Sequence, residues 1–281
     1  MSEQDDFYLY HYTTPEGLVR IIEHQGIWAT NIFFLNDFEE WYLGMKLFKD
    51  GLQGRINSKA NNSIFKKCLG AVKSAISSIE PGGLMPEKNL AMYVCSFSKE
   101  DDLLSQWRAY CPRGGFALGF LKSKLESLAR EQDFTFEPCI YKHEDQIRKV
   151  DEILNRMKTE ALERDQQANE ADIINKFIWD IFRASVLLKH VTFSEECEWR
   201  FAPTLQSTGK PKKLGFCTRE GLIVPHRVID LSDPDFWKDV TIVVGPSPHK
   251  DKCVNAVRTL CEERKIWCKK IRTSKIPYRY W

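Results

Sequence analysis

The chain opens on Phe-Tyr-Leu-Tyr-His-Tyr at residues 7–12, an aromatic run that predicts a strand. Thr13-Thr14-Pro15-Glu16 then predicts a helix start. A threonine caps it, Pro15 takes the first helical position, and Glu16 suits the positive end of the helix dipole. Leu18, Ile21 and Ile22 recur at helical spacing, and Gly26 is expected to close the helix as a left-handed cap. Residues 27–30 read as a second short strand, so the first thirty residues form a compact strand–helix–strand unit.

Further along, apolar spacing predicts helices at 38–50, 62–78, 101–110 and 121–132, and strands at 90–97, 114–120 and 134–141. Pro81-Gly82-Gly83 marks a break. Residues 143–190 hold the helical period with neither Pro nor Gly. That is too long for one ordinary helix, and polar 164–170 predicts a turn between two. The pair reads as a helical insertion covering one side of the sheet. Strands are expected again at 199–203, 212–217, 222–224, 228–231 and 240–244. A helix is expected from Gly245 to 264, and a last strand at 267–271. The fold class is α+β: one domain over 1–281, with a mixed, mainly antiparallel sheet and flanking helices. Strict strand–helix alternation is missing, which argues against a doubly wound parallel sheet.

Composition narrows the function classes. Lys plus Arg exceed Asp plus Glu by 41 − 39 = 2, so the chain is no global polycation, and a nucleic-acid binder would need a local patch. No apolar run approaches the ~20 residues of a bilayer span, so no membrane association is expected. The start, Met-Ser-Glu-Gln-Asp-Asp, lacks the basic and apolar character of a secretory signal. Nine scattered cysteines without a Cys-x-x-Cys pair fit reduced thiols in a cytoplasm. There is no Walker loop, no Gly-x-Gly-x-x-Gly after a strand, no nucleophile elbow and no zincin pair, and six dispersed histidines give no metal-ligand spacing.

Four patches set polar and aromatic residues beside apolar strands: His11-Tyr12-Thr13, Asn36-Asp37-Phe38-Glu39, Ser96-Phe97-Ser98 through Gln106-Trp107-Arg108-Ala109-Tyr110, and Phe193 through Arg200. If the last is extended, Glu196, Glu198 and Arg200 share one face, with Cys197 and Trp199 on the other. Three charges entering an apolar run need a water-filled cleft or mutual pairing. The plain alternatives are a surface strand with cross-strand ion pairs, a hydrogen-bonded core His11, core packing by Trp107 and Tyr110, and a turn at Asn36-Asp37.

These segments, with Gly115–Phe120 and Ser274-Lys275-Ile276-Pro277-Tyr278-Arg279, resemble in order the bacterial domain-of-unknown-function 2971 family. Arg108 departs from that pattern, where a smaller or neutral residue is expected. The opening His11-x-Thr13, Leu18-x-x-Ile21-Ile22 and Gly26-Ile27 is also similar, more distantly, to ADP-ribosyltransferases that modify nucleic acids. That second resemblance implies a split mixed sheet with a cleft for NAD as substrate. It implies catalytic roles for His11, on the ribose, and for a late-strand glutamate, Glu198 with Glu196 as alternate. The nicotinamide would stack on one of Tyr12, Trp28 and Tyr110. Thr13, Asn36 and Ser96 would line the cofactor site, and Arg108 or Arg200 would pair with the pyrophosphate. The expected function is an NAD-dependent ADP-ribosyltransferase or NAD-cleaving enzyme of a bacterial defence or stress system, acting on a nucleic acid or protein. Two alternatives stay open: a non-catalytic module of the same fold binding a nucleotide-type small molecule, and a protein-interaction subunit.

Overall fold

The computed structural model describes residues 6–35, 38–59, 63–77, 92–162, 170–204, 214–219 and 221–277. The opening unit forms as its pattern predicts: β1 (Tyr8–Thr13), α1 (Pro15–His24) and β2 (Gly26–Asn31). The Thr14 hydroxyl accepts from Gly17 N at 3.1 Å, and Pro15 opens the helix, where its missing N–H costs nothing. The left-handed cap is Gln25, at φ 46°, rather than the expected Gly26. Gly26 already belongs to β2. A Cβ there would lie 2.7 Å from Val228 Cγ1, so glycine is needed for close strand approach instead.

The middle of the chain gives α2 (Phe38–Asn57), α3 (Ser63–Ser77), β3 (Tyr93–Ser98), α4 (Leu104–Tyr110), β4 (Phe116–Leu121), α5 (Lys122–Glu131) and β5 (Phe134–Pro138). The 143–190 stretch contains two helices, α6 (His143–Leu162) and α7 (Glu170–Ser185), and ends outside helix. The predicted turn at 164–170 and the break at 81–83 lie outside the described residues, apart from Glu170, which starts α7. A 3-10 turn, Val191–Glu196, precedes β6 (Glu198–Pro203). The chain then runs through β7 (Gly215–Arg219), β8 (Leu222–Asp230), α8 (Pro234–Trp237), β9 (Thr241–Val244), α9 (Lys250–Glu263) and β10 (Lys270–Thr273). The two strands expected at 222–224 and 228–231 are one strand. Pro225 is tolerated inside it because β8 there has passed its last β2 register, Thr30↔His226, and keeps only β7 as neighbour. The helix expected from Gly245 starts at Lys250.

One sheet runs β10-β9-β4-β1-β3-β2-β8-β7, with β6 on β3 and β5 on β6. Its described pairings are antiparallel except β9 with β10. Strand alternation divides the core in two. Cys95, Phe97 and Phe201 face a layer with α1, α5 and α9, whereas Val94 and Ala202 face the four helices α2, α3, α6 and α7. The helical pair 143–190 thus packs with α2 and α3 against β3 and β6. Among the described residues no helix is long and apolar enough to cross a membrane.

Phe201 is fully buried, with ring centroids 5.4, 5.7 and 4.7 Å from Phe97, Phe134 and Phe136. Phe201→Ala should therefore lower stability by about 3–5 kcal/mol. Urea unfolding should show a reduced midpoint at unchanged slope.

Candidate functional site

The site begins at the edge of β3. Along an antiparallel strand, alternate residues present their backbone groups to alternate edges. Met92 O accepts from Ile32 N, just past β2, and Ser96 O accepts from His11 Nδ1 at 3.0 Å. Both carbonyls therefore point to one edge, while Lys99 N bonds Cys197 O on the other, toward β6. β2 holds that first edge at Tyr93 and Val94, and β1 holds it at Ser98 alone. Between these attachments β1 and β2 part, and a side chain takes the carbonyl that a backbone N–H would otherwise satisfy.

That side chain is His11. Because its partner is a carbonyl, Nδ1 must carry the proton, and in the neutral ring Nε2 can only accept. Burial pushes its pKa below the ordinary histidine value, with the Ser96 bond opposing, so the ring is neutral at pH 7. It packs tilted against Phe97, 5.6 Å between centroids.

His11 lines a cavity of about 160 Å³ together with Trp28, Ser96, Tyr110, Glu196 and Glu198. Gln106, buried on α4, also reaches it. A wider cavity of about 460 Å³ shares His11, Tyr12, Trp28, Thr30, Tyr110 and Arg219 with the first. Thr13 lines this outer space only.

The far wall is ionic. Glu198 opens β6 at 4% exposure and Lys189 is wholly buried. Lys189 Nζ donates to Glu196 Oε2 and to Glu198 Oε2, each at 2.6 Å. Arg200 holds both Glu198 oxygens, Nε to Oε1 at 2.7 Å and Nη2 to Oε2 at 3.1 Å, and gives Nη1 to Val186 O. Burial raises the Glu198 pKa, but the charges and hydrogen bonds of Arg200 and Lys189 outweigh it and hold the carboxyl at about 2. Two cations against two carboxylates leave the cluster formally neutral. Glu196 ends the 3-10 turn and Cys197 follows in the left-handed region at φ 43°, so the expected extended run through Glu196 does not form. The two carboxylates meet through their shared lysine instead, and Ser98 Oγ fixes the turn by donating to Glu196 O at 2.7 Å.

The remaining sequence candidates separate. Tyr12 is buried and committed: its hydroxyl donates to Glu100 O and accepts from Leu103 N, and its ring meets Trp107 edge-on at 4.6 Å. Trp28 is already covered, with His226 stacked at 4.0 Å and the Arg20 guanidinium lying 5.3 Å over its ring. Tyr110, half-buried and packed against the Tyr12 and Trp107 cluster, lines both cavities. Arg108 is exposed and does not line the cavity. Arg200 is spent on Glu198, which removes both expected pyrophosphate partners. Asn36 lies outside the described residues. Sequence reasoning missed Lys189, whose signal is a lone lysine closing the apolar run Val186-Leu187-Leu188, seven and nine residues before the two glutamates. Among the described residues no group of His, Cys, Asp and Glu converges as a metal site.

Over residues 106–201 the chain matches the family Protein of unknown function (DUF2971). The DUF2971 match supports that resemblance on about a third of the chain. It takes in Gln106, Tyr110, Lys189, Glu196, Glu198 and Arg200, and leaves out β1 and His11. No curated protein and no solved structure matches the chain.

Glu198→Gln leaves Lys189 and Arg200 short of a buried anion. It should cost about 3–5 kcal/mol in denaturant unfolding. Adding Lys189→Met removes one of the two stranded cations and should recover part of that loss. The sign of the pH dependence follows from the depressed Glu198 pKa. Its contribution is complete above pH 4.5 and is lost as pH falls toward about 2. Acid unfolding of the double variant should show a shallower fall across that window than the wild type.

Proposed function

We propose that the cavity between β1 and β2 binds NAD, and that the protein is an NAD-dependent ADP-ribosyltransferase or NAD-cleaving enzyme. The supporting observation is that His11, Tyr110, Glu196 and Glu198 line one cavity from separate elements. His11 Nε2 accepts a ribose hydroxyl without a change of charge. Tyr110 offers its ring to the nicotinamide. As the glycosidic bond breaks, nicotinamide leaves with the bonding electron pair and positive charge develops on the ribose. The fixed Glu198 carboxylate stabilises that charge. The acceptor nucleophile then gives its electron pair to the anomeric carbon and its proton to water. With a pKa of about 2, Glu198 is too weak a base to take that proton, so its role is electrostatic.

One observation favours a second reading, a nucleotide-binding module without turnover. Lys189 and Arg200 already neutralise the two carboxylates, and a compensated anion stabilises a developing cation less than a bare one.

Incubation with NAD plus DNA, RNA or cell extract, with nicotinamide followed by mass spectrometry, separates the two. Release by the wild type, and its loss by about 10²-fold in a folded Glu198→Gln/Lys189→Met variant, is the expected outcome. Binding of NAD without release establishes the module instead, and neither binding nor release removes both.

A further inference from the structure

The inner cavity, at about 160 Å³, falls below the ~300–1,000 Å³ of a small-molecule site. A ligand ring that enters it must leave the rest of the molecule in the adjoining outer cavity of about 460 Å³. The outer lining carries two guanidinium groups, Arg20 from α1 and Arg219 from the end of β7, against one carboxylate, Glu16. Both arginines are exposed, and among the described residues neither forms a salt bridge. Arg20 is held over the Trp28 ring, and Trp28 lines both cavities. Arg219 also lines both, so it stands where the two spaces join. His11 is neutral and adds no charge of its own.

Two guanidinium groups from different elements, neither in a salt bridge among the described residues, beside a passage to a ring-sized chamber, match a diphosphate linking two nucleosides. Guanidinium meets phosphate oxygens with paired N–H donors, a geometry that neutral side chains cannot supply. We infer that Arg20 and Arg219 form a diphosphate clamp in the outer cavity, so that the ligand is a dinucleotide or an ADP-ribose-type molecule and not a free nucleoside or base. This inference rests on the nucleotide reading of the inner cavity and supplies what Arg108 and Arg200 do not.

Titration calorimetry on the full chain tests it, with NAD, ADP-ribose, inorganic pyrophosphate and nicotinamide riboside as probes. The wild type should bind NAD and ADP-ribose, with affinity falling as salt rises. Arg20→Gln and Arg219→Gln should each weaken both ligands by roughly tenfold, and the double variant by roughly 100-fold, with nicotinamide riboside unaffected. Both side chains are exposed, and unchanged urea midpoints establish that the variants fold. Equal affinity of wild type and double variant for ADP-ribose overturns the clamp. So does wild-type binding of nicotinamide riboside as tight as that of NAD, or no binding of any diphosphate probe. Arginine-dependent ADP-ribose binding without nicotinamide release upholds the clamp and removes the catalytic reading.

Discussion

A lysine with no solvent exposure sits beside the site, and the surrounding architecture answers to it. An ammonium group buried without partners costs several kcal/mol, so Lys189 requires carboxylates within hydrogen-bond reach. Glu196 and Glu198 supply them, and Arg200 then completes Glu198 while holding the backbone at Val186. This network binds the segment after α7, the 3-10 turn and the start of β6 into one rigid wall. It also fixes which way Glu198 faces and keeps it ionised.

Opposite that wall, the sheet is open for a reason equally local. β1 and β2 attach to the same edge of β3 at its two ends, and α1 between them packs Leu18, Ile21 and Ile22 into the core shared with β3 and β4. The backbone acceptor exposed where the strands part cannot stay unpaired under cover. His11 satisfies Ser96 O from its side chain, which turns a gap in the sheet into a lined cavity. The tautomer is set by the same bond: one ring nitrogen is committed to structure and the other is left to accept.

The chemistry available follows from these two walls. A neutral histidine acceptor, a half-buried tyrosine and a permanently charged carboxylate suit recognition of a sugar hydroxyl, a flat ring and a nascent cation. They suit proton abstraction poorly, because burial disfavours the imidazolium that His11 would become on taking a proton at Nε2, and the cations beside Glu198 remove its basicity. The tension between the Glu198 charge and its compensation is the physical feature that distinguishes a catalyst from a binder in this fold.

Much of this was legible in the residues. Periodicity and capping chemistry predicted β1, α1 and β2 nearly to the residue, because Thr14, Pro15 and the Leu18–Ile22 stripe act within a few positions of one another. The α+β class and the candidacy of His11, Tyr110 and the paired glutamates were legible too, since each rests on residue type and order. Partnership was not. Lys189 meets Glu198 because the 3-10 turn folds the chain back between them. His11 meets Ser96 across 85 positions, and Arg20 shares a cavity with Arg219, because sheet pairing brings their elements together. The same distinction separates Arg108, exposed, from Arg200, buried in an ion cluster, although both are arginines beside a tryptophan. Local sequence determined the elements and the inventory of chemical groups, because those depend on short-range sterics and hydrophobic spacing. Tertiary structure alone decided which charges are compensated and which still face open space, because compensation depends on distances that only the folded chain sets.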